Sequence, residues 1–400
     1  MTTESAAAAR LRSNPPKIYA YKFLSEFFLV VPVLIPYYIY HGLNATQIFT
    51  IQAAYHVAVL VLEIPSGYLA DVVGRKRTLV LGVLFFPASM ALYAFTGSFW
   101  TFVLAEATMA VANSMRSGCD SALMYDTLIQ LDREGEYRQF EGRSFLFTRL
   151  GTALASVVGG VLAVRSLHLP FYVNVATYCL IPPIALTLVE PARKKREGHS
   201  PLLDILHISA RCFKHRRLRW LMLMAALLQA MGVTGVWSYF LYFRQLHLRL
   251  ALYGLLFAVF QLASALGSAS AHAVSRRIGE KASLVSLLGV GLVYIALGAV
   301  SSPALIALIV PSALLWGFGW PVFMDAFNRL TVSEIRATVL SVASMCASIV
   351  FVIMSPLFGK LVDAAGLSVS FIVLGAANLL FGGFFLIMIF RTQGETSLVK

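Results

Sequence analysis

The sequence predicts an all-α membrane protein, with twelve transmembrane helices in two pseudo-symmetric bundles of six. Composition is the first reason: 58% of the residues are apolar and 13% charged, against about 25% charged in soluble domains. Spacing is the second, because apolar runs near the ~20 residues that a bilayer core needs recur along the whole chain. The third is the placement of cations. Lys and Arg crowd into alternate segments, at 10–22, 75–77, 133–143, 193–219, 276–281, 329–336 and 391–400, whereas the outer loops hold only Arg165, Arg244, Arg249 and Lys360, and Arg116 and Arg149 lie within spans. That asymmetry orients a chain in a membrane and places both termini in the cytoplasm. The net charge of +13 is therefore read as topology and not as affinity for nucleic acid.

In chain order, residues 1–17 are polar and basic. The apolar run after them is too long for a signal-peptide core and lacks a convincing cleavage site, so the first helix is expected to stay in the mature protein. The spans are placed at 18–41, 46–71, 78–96, 99–129, 144–164, 169–189, 218–243, 251–274, 281–300, 304–328, 337–358 and 367–390. The run 99–129 is too long to be all hydrocarbon, and its cytoplasmic end is expected to project into water. Residues 190–217 divide six spans from six, giving bundles at 1–189 and 218–400. Within this linker Ser200 suits a helix cap and Pro201 a first turn. Leu202, Leu203, Leu206 and Phe213 share one face, which describes an amphipathic helix lying on the inner leaflet. Gly317, Gly319 and Pro321 mark the tenth span as a bending element. The four cysteines are scattered without a C-x-x-C pair or a nearby His cluster, so neither a disulfide framework nor a metal site is expected.

One junction organises the first half: Glu63-Ile-Pro65-Ser-Gly67-Tyr-Leu-Ala-Asp71-Val-Val-Gly74-Arg75-Lys76-Arg77. It passes from an apolar run through a carboxylate into three cations, with Gly67 and Gly74 allowing close approach and a tight turn. Such a junction serves either as a latch that exchanges partners between helices or as a topology signal alone. The stretch resembles the G-x-L-a-D-r-x-G-r-k loop between helices 2 and 3 of the major facilitator superfamily. Its Glu63-Ile-Pro65-Ser-Gly67 resembles the E-I-P-[ST]-G form of bacterial drug-exporter-like members. Val72 stands where the family often has Arg, so Asp71 is expected to rely on Arg75 or another helix. The resemblance continues in Ser117-Gly118 with Ala122-Leu-Met-Tyr125-Asp126-Thr-Leu128, and in Asn328-Arg329 with Arg336-Ala-Thr-Val-Leu-Ser341. It implies a cytoplasmic gate or latch built from Gly67, Asp71, Gly74, Arg75, Lys76, Asp126, Arg329 and Arg336. Gly151-Thr-Ala-Leu-Ala155-Ser156-Val-Val-Gly159-Gly160 resembles the antiporter pattern of helix 5, with Ala155 and Ser156 replacing its Gly and Pro. Small residues at this spacing also simply let helices pack closely.

A second copy of the loop falls at Ser275-Arg276-Arg277-Ile-Gly279-Glu-Lys281. Gly74 and Gly279 lie 205 residues apart, as do Asp120 and Asp325. Such internal repeats are what alternating access of two halves around a central site leads one to expect.

Charges within the spans carry the functional reading, because a charge at mid-membrane costs about 2.5–3.5 kcal/mol even on insertion scales. With a rise of ~1.5 Å per residue, Glu26, Glu63, Asp120 and Arg149 fall at a similar depth on four helices. Arg116 is placed to pair with Asp120 and Lys22 with Glu26. The group is either a proton-coupling network, with Glu63 or Asp120 as the titrating member, or a fixed set of ion pairs that clips the first bundle together. Asp325 is the coupling candidate of the second half. Glu106, Gln229, Trp237, Gln261, Trp316 and Trp320 are candidates for a substrate pocket, interface anchoring being the alternative for Trp237.

No nucleotide-binding loop is present, and no nucleophile, His or metal constellation shares a depth, so an enzyme is not expected. The expectation is a monomeric secondary transporter of the cytoplasmic (inner) membrane that needs no cofactor and draws on a proton gradient. Its partners are a small amphipathic substrate and the lipid bilayer, with no nucleic acid. Export is preferred; uptake of a nutrient, and a receptor or assembly factor that has lost transport, are the alternatives.

Overall fold

A computed structural model describes residues 10–191, 201–300, 302–331 and 333–392, without the side chains at 64, 71, 138, 201–207, 333, 334 and 337. Among the described residues there are helices and no strands. In lipid this is the expected solution, because a helix satisfies every backbone group internally. Among the described residues eight helical stretches are long and apolar enough to cross a membrane, and Val31–Tyr40 and Gly289–Ala299 are shorter apolar helices.

The first span is broken into α1 (Asn14–Ser25), a 3-10 turn at Val31–Val33 and α2 (Leu34–Tyr40). The second is one helix, α3 (Ala45–Val73), of 29 residues with Pro65 inside it. The third is α4 (Arg75–Val83) followed by α5 (Phe85–Phe95). The run 99–129 is not one helix: α6 (Phe99–Arg116) ends before Gly118, which takes φ 73° and starts α7 (Cys119–Gln130). Ser98 and Thr101 cap α6 reciprocally. The fifth span is α8 (Tyr137–Arg165), and the sixth is α9 (Leu169–Tyr178) with α10 (Ile181–Leu186).

The linker forms the helix expected from Ser200-Pro201, α11 (Pro201–Lys214). Leu202, Leu203 and Leu206 lie outside the described side chains, while Cys212 is fully buried among Leu218, Leu221 and Val339 and Phe213 is exposed. One face of α11 is therefore docked on protein, a role beyond resting on the leaflet.

The second half follows with α12 (Arg216–Gln245), α13 (Leu250–Ser286), α14 (Gly289–Ala299), α15 (Ile309–Leu330) and α16 (Ser333–Arg391). Two of these contain two spans each, separated where Gly279 and Gly366 leave helical geometry at φ 83°. Gly279 thus shares positive φ with Gly74, which makes the 205-residue repeat visible in the backbone.

By contacts the chain forms two compact units. One comprises Met1–His41, Ala58–His199 and Arg249–Ala258; the other comprises Gly42–Val57, Ser200–Leu248 and Val259–Lys400. The first is filled by aromatic side chains, with Tyr21, Tyr37, Tyr38, Phe86, Tyr93, Phe102 and Tyr178 fully buried. The second is centred on Leu218, Met222, Phe323, Phe327, Val342 and Ile389. Large apolar groups such as Val61, Leu154, Leu266 and Leu380 remain exposed, which suits hydrocarbon and not water.

The small residues of the fifth span are used for packing: a Cβ at Gly159 would collide with the Leu29 carbonyl, and Gly160 abuts Gly254 of α13. In α15, Gly317 gives room to the Ser264 carbonyl. The expectation of a bend there thus resolves, at this glycine, into close helix approach.

Candidate functional site

The signature junction folds as a turn between α3 and α4. Gly74 sits at φ 118°, ψ 147°, a region that only glycine adopts without strain. The next two backbone N–H groups, those of Arg75 and Lys76, donate to the two carboxylate oxygens of Glu190 at 3.0 and 2.7 Å. A carboxylate there satisfies orphan donors and complements the positive end of α4. The Arg75 guanidinium donates to the Ala122 carbonyl at 2.8 Å and is ion-paired with Asp126 of α7. The side chain of Asp71 lies outside the described residues, and Gly67 has open space around it. Close approach in this turn is therefore carried by Gly74 alone.

A charge cluster joins α1, α6, α7 and α8. Lys22 stands 3.5 Å from Asp120 and 3.4 Å from Glu141, and Ser121 Oγ donates to Glu141 at 3.0 Å. Arg116 Nη1 donates to Glu26 at 2.8 Å and to Ser25 Oγ at 3.0 Å. The pairing is the reverse of that read from spacing along one helix. Gly118 breaks the helix between Arg116 and Asp120, so the two no longer lie one turn apart on a common face; Arg116 reaches α1 and leaves Asp120 to Lys22. Two cations thus face three carboxylates. Lys22 and Asp120 are only 12% and 14% exposed, whereas Glu141 is 39% exposed.

Two residues placed with this group from depth alone stand apart from it. Arg149 lies over the Phe145 ring at 4.8 Å. Glu63 is half-buried on α3, its carbonyl accepting from Ser66 Oγ at 3.0 Å. Depth is a single coordinate, and among the described residues neither side chain forms an ion pair with the cluster.

Glu106 is buried, accepting from Tyr93 Oη at 2.7 Å and, more weakly, from Tyr38 Oη at 3.4 Å. It belongs to the aromatic interior of the first unit. The tyrosines that hold it were not legible, because Tyr38 and Tyr93 lie on other helices, 68 and 13 residues away, and meet Glu106 only through helix packing.

In the second unit Glu280 accepts from Arg217 at 2.8 Å, and Arg329 lies between Glu280 at 3.8 Å and Asp325 at 2.6 Å. Glu280, Asp325 and Arg329 line a cavity of about 490 Å³ with His272, Ser275 and Arg276. Asp325, 62% exposed, is therefore in a different setting from Asp120, its repeat partner. Arg336 is exposed on α16. Gln229, Trp316 and Trp320 line a small recess with Leu287 and Phe323. Trp316 Nε1 is buried against Gly232 and finds no hydrogen-bond acceptor among the described residues. Trp237 lies beside Phe240 at 6.2 Å between ring centres, and Gln261 is half-buried on α13.

Asp363 is a functional candidate that sequence reasoning missed. Its carboxylate accepts from the backbone N–H of Ala45 at 2.9 Å, and from the N–H and hydroxyl of Thr46 at 2.8 and 2.6 Å. It caps α3 from 318 residues away, and no local signal announces such a cap. Glu190 and Glu141 were missed for the same reason. Among the described residues no group of three His, Cys, Asp or Glu is placed to hold a metal ion.

The chain is 31% identical over 136 residues to the uncharacterized MFS-type transporter EfpA of Mycobacterium tuberculosis, a match covering 34% of this chain and 25% of that protein. It is likewise 31% identical over 150 residues to the inner membrane transport protein YajR of Escherichia coli, covering 36% of this chain and 31% of that protein. The match thus spans less than a third of either relative. Among solved structures the nucleoside transporter NupG superposes with a TM-score of 0.80 at 17% identity, covering 94% of this chain and 98% of that one. The D-xylose–proton symporter superposes with a TM-score of 0.69 at 16% identity, covering 97% and 99%. At these identities the likeness establishes the fold. The family model described as Major Facilitator Superfamily matches residues 23–334 and 223–400, and the chain belongs to that family.

Proposed function

We propose that the protein is a proton-coupled secondary transporter that moves a small amphipathic molecule across the cytoplasmic membrane, with both termini in the cytoplasm. Export in exchange for protons is the preferred direction. The observation that carries this reading is the excess carboxylate in the cluster of Lys22, Arg116, Glu26, Asp120 and Glu141. An unbalanced negative charge beside the largely buried Lys22 and Asp120 is costly, and one bound proton removes the imbalance. Asp120 and Glu141 share the single ammonium of Lys22, so protonation of either leaves the other as its counter-ion. Asp120 is the more buried of the two, and we assign it the coupling role.

The turn at Gly74 supplies the second part of the mechanism. Arg75 ties α4 to α7 through Asp126, and Glu190 fixes the turn from the end of α10. A contact of this kind closes in one access state and opens in the other, so that Gly74, Arg75, Lys76 and Asp126 act as the latch. In the second half Arg329, exposed and shared between Asp325 and Glu280, is a switchable partner. The aromatic and amide groups of α12 and α15 offer stacking surfaces and polar groups, which fits an amphipathic substrate.

Uptake by proton symport would use the same network. The solved symporter and the nucleoside transporter share this fold, so the fold is neutral on direction. A compound-susceptibility panel, in a host stripped of its own exporters, tests the reading. Protection by the wild type that Asp120→Asn and Arg75→Gln both lose is the expected result. Sensitisation by the wild type reverses the direction, and a panel on which wild type and empty host never differ removes the support for transport and leaves a receptor role.

A further inference from the structure

Beneath the Gly74 turn lies a second cavity, of about 700 Å³, that the transport reading does not use. Its wall is formed by Arg10, Ser13 and Lys17 at the start of α1, by Val73, Gly74, Lys76 and Arg77 at the turn, and by the segment from Leu186 to Glu190 after α10. Four cations therefore face one carboxylate. That carboxylate is committed, because both oxygens of Glu190 accept backbone N–H groups of the turn and its charge balances the positive end of α4. Lys17 donates to Thr187 O at 2.7 Å and to Ser13 Oγ at 2.9 Å, and so keeps its charge at the cavity without a carboxylate. Among the described residues no carboxylate pairs with Arg10, Lys76 or Arg77.

We propose that this cavity binds the phosphate of an anionic phospholipid headgroup. A local excess of positive charge selects an anion, and Arg with Lys together offer forked and point-charge donors for phosphate oxygens. The cavity size lies within the ~300–1,000 Å³ of small-molecule sites. Placement favours a lipid: the wall residues lie at the ends of α1, α3 and α10, where the apolar helices give way to polar chain, and Val73, Leu186, Leu188 and Val189 add apolar wall for the glycerol end. In sequence, Arg193-Lys-Lys-Arg196 follows Glu190-Pro191-Ala192, and clustered cations beside a membrane span attract anionic lipid.

The test uses purified full-length protein titrated with phosphatidylglycerol, with phosphatidylcholine and with inorganic phosphate. Wild type is compared with Arg10→Gln/Arg77→Gln, both exposed positions, and with Arg165→Gln at the far end of α8. Phosphatidylglycerol is expected to bind in preference to phosphatidylcholine. The double variant should lose roughly 25-fold, about fivefold for each cation near the surface, while Arg165→Gln loses nothing. If the double variant fails to fold, the wild-type preference must still collapse as salt rises from about 0.05 to 0.5 M, because charge attraction is screened. Equal binding of the two lipids, equal loss in Arg165→Gln, or a salt-independent preference overturns the site. Inorganic phosphate competing at the affinity of the lipid overturns the headgroup and leaves a free-anion site.

Discussion

Lys22→Met isolates the charge cluster from everything else in the first unit. Across the 3.5 Å between Lys22 and Asp120, Coulomb attraction at an effective dielectric of about 20 is roughly 5 kcal/mol. Most of this is offset by what it costs to bring both ions out of water. Methionine keeps the length of the side chain and removes the charge, which leaves Asp120 and Glu141 repelling each other with no cation between them. Breaking a buried pair from one side costs about 3–5 kcal/mol. Since Glu141 is 39% exposed and water screens it, we take roughly 2 kcal/mol. At roughly 2 °C per kcal/mol for a large chain, melting should fall by about 4 °C. Lys22→Met/Asp120→Asn removes the repulsion together with the attraction, and should recover most of that loss. The assay is thermal unfolding of detergent-purified protein followed by intrinsic fluorescence, arranged as a double-mutant cycle. If the double variant melts no higher than Lys22→Met, the two residues are not coupled and the cluster does not work as described.

Three further outcomes follow from the same geometry. Gly74→Ala forces a side chain into positive φ beside Glu190 and should destabilise by about 1–3 kcal/mol; Glu190→Gln, which keeps the hydrogen-bonding shape and loses the charge, should cost less, and a reversed order in melting temperature would contradict the account of the turn. Asp363→Ala removes the remote cap of α3, worth about 1–2 kcal/mol, so amide exchange at Ala45 and Thr46 should accelerate roughly 5–30-fold. In the turn before α8, the hydrogen bonds from Arg133 hold the Glu136 carboxyl below the ordinary carboxylate range. Because the folded value is the lower one, that contact stabilises the turn above about pH 4.3 and is lost as pH falls below it; carboxyl NMR of Glu136 should show a midpoint that rises in Arg133→Gln.

How much was legible in the sequence differs between helices and their contacts. The spans were legible because length and hydropathy are local quantities, and Gly74 and Gly279 were legible because a positive φ leaves a glycine behind. The break at Gly118 was not, since Ser117-Gly118 sits in a run that hydropathy treats as continuous. Once that break is missed, Arg116 is paired with Asp120 by periodicity, when the folded chain gives it to Glu26. The carboxylates that complete each cluster, Glu141, Glu190 and Asp363, come from helices or loops 20 to 318 residues away. Such contacts are set by how helices rotate and pack, which composition does not encode. Glu63 and Arg149 show the converse: counting along their helices groups them with the cluster, yet among the described residues neither forms an ion pair with it.

The central claim is that substrate movement is coupled to proton movement through the site at Asp120. The direct measurement is proton flux in proteoliposomes holding a pH-sensitive dye, with amphipathic compounds added under an imposed pH gradient. The account predicts that at least one compound collapses the gradient faster in wild-type vesicles, and that Asp120→Asn vesicles, carrying equal amounts of folded protein, show only the passive leak. A compound that crosses wild-type vesicles with no accompanying proton, or an Asp120→Asn protein that moves protons at the wild-type rate, would contradict it.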